Sequence, residues 1–339
     1  MKKYLLLLAI AIVGFAACGK LNGGENGSGD GAGNGTGDDN TDETVVINGI
    51  IQIKDPNFLK ALLVVKDMTI VGKHIHQDID RNRDGKISVE EAKQVTRLQL
   101  GKNYDKDEET NKPLYSDLRN IDEIKYFTSL KVLKCDDNQL ISLDLSKNTA
   151  LEHLDCSNNY LTSLNLDKNT SLKILGCGGN QWTTLDLSNH LSLEHVYCDS
   201  KDLELNLSGC TALEKVSCGV KALDVSGCTA LTKLKCSGHY HNNKLASLDV
   251  SGCTVLTGLY CNSNDLTTLN LSGCTALTKL YCSSNKLASL DISNNAALYE
   301  YLEVESNPLE TVTILSIQQN APLMYYLKRY YPNIEIIVK

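Results

Sequence analysis

Leu151-Glu-His-Leu154-Asp-Cys156-Ser-Asn-Asn159-Tyr-Leu161-Thr-Ser-Leu164-Asn-Leu166-Asp-Lys-Asn169 is the stretch on which the fold turns. Its form returns along the chain. Leu130, Leu151, Leu172 and Leu193 are spaced by 21 residues, Leu213, Leu231 and Leu256 follow after 20, 18 and 25, and Leu277 and Leu298 resume the step of 21. The three irregular steps together equal three regular ones, so the period is kept. Leu154 and Cys156 alternate with His153, Asp155 and Ser157, the period of two of a strand with one buried side. One unit cannot bury its apolar side alone, so copies must stack. The second half of the unit, Leu161 to Asn169, has the same form and predicts a shorter extended segment on the opposite side of the coil, not a helix.

The pattern Leu-x-x-Leu-x-Leu-x-x-Asn-x-Leu resembles the leucine-rich repeat, in eight or nine units from about residue 95 to 315. The resemblance implies an α/β solenoid dominated by β: a right-handed coil with short parallel strands. Asn138, Asn159, Asn180, Asn264, Asn285 and Asn307 form one column, and Asn148, Asn169, Cys210, Cys228, Cys253, Cys274 and Asn295 another. A buried amide at a turn satisfies backbone groups of the neighbouring coil, so both columns read as structural. Of the 13 cysteines, eight (Cys135, Cys156, Cys177, Cys198, Cys218, Cys236, Cys261, Cys282) take the strand position and four the turn column. Side chains stacked in register on parallel strands, about 4.8 Å apart, point the same way and fit disulfide geometry poorly. Buried free thiols are the expectation. Trp182 stands where other units have Leu140 or Leu161 and belongs to the core.

The amino-terminal end differs in composition. Residues 1–17 pair Lys2 and Lys3 with the run LLLLAIAIVGFAA, a signal peptide too short to span a membrane. Phe15-Ala16-Ala17-Cys18 resembles the lipobox of bacterial lipoproteins, which implies acylation of Cys18 and a lipid anchor; Gly19 after it, in place of the Asp of inner-membrane retention, implies the outer membrane. Residues 18–44 are rich in Gly, Asn and Asp and read as a tether with a span of about 28 Å. The formal charge of the chain is −8; residues 1–17 carry +2 and 18–44 carry −5, leaving −5 from residue 45 onward. That balance sets aside a nucleic-acid partner.

Residues 45–129 read as an amino-terminal cap with a first irregular repeat. Asp55-Pro56 opens a helix through FLKALLVVK. Asp80-Arg-Asn82-Arg-Asp84-Gly85-Lys86-Ile-Ser88-Val-Glu-Glu91 has the form of a twelve-residue calcium loop of EF-hand or dockerin type. Asp80, Asn82, Asp84, the Lys86 carbonyl, Ser88 and Glu91 are the oxygen donors, with Gly85 at the turn. Ser88 and Glu91 also read as a capping box for SVEEAKQV. A lone loop beside a solenoid reads as structural calcium, not a sensor. Helix, loop, short helix and the strand VTRLQL resemble the cap of surface repeat proteins of Bacteroides-like gut bacteria, internalin-like ones included. The approach IVGKHIHQD departs from that pattern, with His74 and His76 expected on an exposed loop. After repeats over 130–315, residues 316–339 read as a second cap, a helix ending before Pro332 and a last strand.

No catalytic motif stands out among seven scattered His and periodic carboxylates, so an enzyme is not expected. The second-half outward column, Asp144, Asn165, Asp186, Asn206, Asp224, Asp249, Asn270 and Asp291, reads as a solvated face. The first-half face carries His153, His195, Tyr197, Tyr260, Tyr281 and Tyr301 with Lys233, Lys235 and Lys279, and tyrosine of this kind is enriched at recognition surfaces. One unit holds an insertion with His239, Tyr240 and His241, a loop of the sort found at binding edges. The expected function is recognition of a protein partner at the cell surface through this face; the alternative is a glycan-binding accessory protein of nutrient uptake.

Overall fold

In the computed structural model the described residues are 45–64, 68–70, 73–75, 78–101, 117–238, 244–298, 301–320 and 322–339. Cys18 and the insertion residues His239, Tyr240 and His241 lie outside them. Among the described residues, ten short strands from Arg97–Gln99 to Tyr301–Glu303 form one sheet in chain order. Every pairing in it is parallel. The middle residues fall in one line: Leu98, Leu133, Leu154, Leu175, Val196, Val216, Leu234, Leu259, Leu280 and Leu302, all buried. The strand cysteines bury beside them, and twelve cysteines from Cys135 to Cys282 are free thiols. Trp182 is in the core, as its place in the repeat predicts.

The second segment of the unit pairs only in places. Thr184–Asp186, Glu204–Asn206 and Ala222–Asp224 make a parallel sheet, and Ser289–Asp291, Thr311–Ile314 and Glu335–Val338 make another. Between them Asp249 and Asn270 share a single bridge. The first of these sheets spans the region where the units shorten to 20 and 18 residues, which leaves less chain to separate successive coils.

The two turn columns hold the coils together by hydrogen bonds. Asn159 Nδ2 donates to the carbonyls of Cys135 (3.0 Å), Cys156 (3.1 Å) and Ser157 (3.2 Å), and its Oδ1 accepts from Leu140 N (3.0 Å). In the other column Asn169 Nδ2 reaches Leu145 O and Asn148 O, while the Cys210 thiol donates to Leu187 O (3.1 Å). His190, which the repeat pattern alone does not single out, fills the place between Asn169 and Cys210: Nδ1 lies 3.1 Å from Leu187 O and Nε2 3.2 Å from Leu166 O.

Both ends are closed. Asp55 caps α1 (Pro56–Val64) by accepting from Asn57 N and Phe58 N at Oδ1, and its Oδ2 accepts from Arg119 N and Asn120 N, fastening the helix to the first coil. The capping box of Ser88 and Glu91 opens α2 (Val89–Ala92) as its residues predict. His74 is not on a loop: it lies in the strand Lys73–Ile75, opposite Thr69 of Met68–Ile70, where β-branched residues favour extended backbone. His76 lies outside the described residues. At the far end Gln318 Nε2 donates to Asn295 O and Leu298 O, replacing the next rung of the turn column. Tyr331 of the segment after α3 (Pro322–Tyr330) donates its hydroxyl to Val304 O at 2.6 Å.

Candidate functional site

Because one strand residue in two points outward, the ten-stranded sheet presents two outward columns. One runs Arg97, Val132, His153, Ile174, His195, Lys215, Lys233, Gly258, Lys279, Tyr301; the other runs Gln99, Lys134, Asp155, Gly176, Tyr197, Ser217, Lys235, Tyr260, Tyr281, Glu303. Tyr197, Tyr260 and Tyr281 share a column as their spacing predicts, whereas Tyr301 belongs to the column of lysines.

Tyr260 and Tyr281 stack with ring centroids 4.8 Å apart and planes 8° from parallel. Lys233 and Lys235 place their ammonium groups 5.5 and 5.8 Å from the Tyr260 ring, and Lys279 lies 4.8 Å from that of Tyr301. The Tyr260 ring also leans over Gly258, where a Cβ would lie 3.2 Å from its Cε2. The aromatic group is thus a braced block, while Tyr197 and Tyr301 are about half exposed. Burial pushes the Tyr281 hydroxyl up, helped by the charge of Glu303.

The two face histidines are less open than the sequence suggests. His153 is half-buried, and that burial, with the charge of Lys134, holds its imidazole below the usual value. His195 lies 3.8 Å from Glu214 and meets the Tyr197 ring edge-on at 6.4 Å. Asp136 and Asp155 lie toward the amino-terminal end of the sheet, where burial and Asp155 push the Asp136 carboxyl up to about 6. Lys215, Lys233, Lys235 and Lys279 lie toward the other end. Lys215 and Ser217 are face residues that the sequence reading passes over; the signal was present in Leu213-Glu-Lys-Val216-Ser-Cys218, where Val216 takes the middle line.

The opposite side has a structural duty. Each column oxygen closes a turn by accepting the amide two residues on: Ser146 to Asp144, Asp167 to Asn165, Ser188 to Asp186, Ser208 to Asn206, Ser226 to Asp224, Ser251 to Asp249, Ser272 to Asn270 and Ser293 to Asp291. These bonds hold Asp144, Asp186 and Asp249 below the usual carboxylate value. A groove of about 530 Å³ there, bordered by Asp186, Glu204 and Asp224, therefore offers carboxylates already engaged, Glu204 with Lys221 at 2.8 Å.

Within the loop that the sequence reading assigns to calcium, Asp80 closes the turn. Its carboxylate accepts from Asp84 N (3.2 Å) and Gly85 N (2.8 Å), with Arg83 and Gly85 in the left-handed region at φ 58° and 77°. Glu91 accepts from Arg81 N (2.9 Å), Ser88 N (2.9 Å) and the Ser88 hydroxyl (2.7 Å). Burial pushes the Glu91 carboxyl up, and those bonds together bring it below its ordinary value. Asp80 and Glu91 are both buried. Among the described residues no three His, Cys, Asp or Glu side chains converge as a metal group. The donor set is all oxygen, the kind calcium takes, while the Asp80 and Glu91 carboxylates face the loop's own amides.

No protein-family model matches the chain, and no curated protein matches it. Solved structures do. The functional domain of InlJ from Listeria monocytogenes, described as including a cysteine ladder, is similar with a TM-score of 0.51 and 23% identity over 84% of this chain. This chain spans 59% of the length of that one. An internalin, inlF, from the same organism gives a TM-score of 0.48 at 17% identity, covering 84% of this chain and 90% of its own. The likeness shows the fold, a leucine-rich-repeat solenoid.

Proposed function

We propose that this chain is a cell-surface binding protein that recognises a protein partner through the outward columns of its ten-stranded sheet. In this reading acylated Cys18 anchors it in the outer membrane, residues 19–44 are the tether, and calcium bound by Asp80, Asn82, Asp84, Lys86, Ser88 and Glu91 stiffens the amino-terminal cap. The observation that carries the reading is a contrast between two faces. The side chains of the Asp/Asn columns are committed to closing turns, whereas Tyr197, Tyr260, Tyr281 and Tyr301 make ring and lysine contacts only on the surface. Braced aromatic side chains lose little entropy on binding and suit a protein contact.

The glycan alternative draws less support at Tyr260, because sugar stacking needs an open ring face. The Tyr260 ring packs against Tyr281 from one neighbouring strand and carries lysines from the other. Capture from host and bacterial extracts, run beside a glycan array with the same preparation, tests the reading. Saturable retention of a protein and a blank array are expected. A glycan bound with no protein retained would overturn it.

A further inference from the structure

Between Tyr197 and Lys235 the outward column holds only Ser217, and the missing bulk leaves a notch of about 180 Å³. Its lining is Tyr197, Lys215, Val216, Ser217, Lys233 and Lys235. Sites for whole small molecules run from about 300 Å³ upward, so this notch suits one group of a larger partner. Three lysines line it, in a chain whose formal charge is −8.

Several surface lysines have carboxylate partners: Lys131 and Lys173 share Glu152, Lys221 has Glu204, and Lys244 and Lys286 share Asp265. Among the described residues Lys215, Lys233 and Lys235 have no ion pair within 4.0 Å, and the Glu214 carboxylate beside them is turned to His195. The ring of Tyr260 holds two of the three in place. Fixed, unneutralised cations around a small polar floor are complementary to a carboxylate, which a lone exposed lysine attracts only weakly.

Resting on the face assignment above, we propose that the notch at Ser217 is the docking point for an acidic segment of the protein partner. One Asp or Glu carboxylate seats between Lys215, Lys233 and Lys235, accepts from the Ser217 hydroxyl, and lays its apolar stem against Tyr197. Neighbouring acidic residues of that segment follow the lysine column toward Lys279.

The test uses the mature chain and a fluorescent octaglutamate peptide, with octalysine and heparin as comparison probes, read by anisotropy at several salt concentrations. Octaglutamate is expected to bind, more weakly as salt rises. The triple variant Lys215→Gln/Lys233→Gln/Lys235→Gln should lower its affinity about tenfold or more. Ser217→Tyr keeps every charge and fills the notch; it should weaken octaglutamate comparably while leaving the melting temperature unchanged. Equal octaglutamate affinity in the wild type and both variants would overturn the proposal. So would heparin bound more tightly than octaglutamate through the same lysines, since that identifies a sulfated glycan as the occupant. Either failure leaves the tyrosine face to be judged on capture of the partner itself, which does not depend on this peptide.

Discussion

Asn159 joins three carbonyls and one amide from two coils with a single side chain. Asn159→Ala leaves those groups buried without partners, and a loss of about 2 to 4 kcal/mol in urea unfolding is expected. His190→Asn should be tolerated within about 1 kcal/mol, because Asn serves the same column at 148, 169 and 295. Asp136 supplies the pH prediction. Its native carboxyl holds a proton up to about 6 against an ordinary value of 3.8, so the folded state binds more protons in that interval and stability falls as pH rises through it. Asp136→Asn should therefore raise stability at pH 7 by about 1 to 2 kcal/mol and bring no gain near pH 3, as thermal melts at the two pH values will show. The thiols are a fourth case. Burial pushes Cys253 up to about 11 and Cys228, Cys261 and Cys274 up to about 12. A thiol reagent at pH 8 is expected to leave the twelve repeat cysteines unlabelled in the native chain and to label all of them in denaturant.

At the scale of elements, the strands of the large sheet were legible because Leu154 and Cys156 alternate with polar residues in a period that only a strand satisfies. The Asn columns were legible because they recur once per repeat. The second segments were harder: Leu164 and Leu166 show the same alternation as Leu185 and Leu187, yet only the latter segment enters a ladder, since pairing depends on how closely successive coils approach and not on the pattern within one. The Asp/Asn column read as a solvated face because its turn-closing role lies in the amide two residues on, a backbone partner that side-chain patterns do not reveal. Lys215 and Ser217 escaped notice in the shortened units, where Val replaces Leu in the middle line. The loop from Asp80 to Glu91, proposed as a calcium site from its donor spacing, yields an element-scale prediction: calcium should raise the melting temperature, by an amount equivalent to about 2.7 kcal/mol when the ion is at a hundredfold excess over its dissociation constant. Asp80→Ala or Glu91→Ala should abolish the increment, and a melt insensitive to chelator would remove calcium from the account.

At the scale of the whole molecule, a solenoid needs closed ends, and the two caps supply groups that a further coil would have supplied. Gln318 and Tyr331 occupy the rungs after Asn295 and Asn307, a substitution visible only once the coils are stacked. Among the described residues no helix is long and apolar enough to cross a membrane. The proposed attachment is through Cys18, and mass spectrometry of the native amino terminus is expected to find an acylated cysteine there. With the sheet as a rigid frame, outward residues can change without loss of fold, since the core lies in the line from Leu98 to Leu302. That separation makes the central claim open to a direct measurement: the affinity of the captured partner for two variants of equal thermal stability, Tyr197→Ala/Tyr260→Ala/Tyr281→Ala and Asp186→Asn/Asp224→Asn/Asp249→Asn. The account predicts that the tyrosine set costs about 2 kcal/mol or more and the aspartate set no more than about half a kcal/mol. A partner that still binds the tyrosine variant and is lost from the aspartate variant would contradict it.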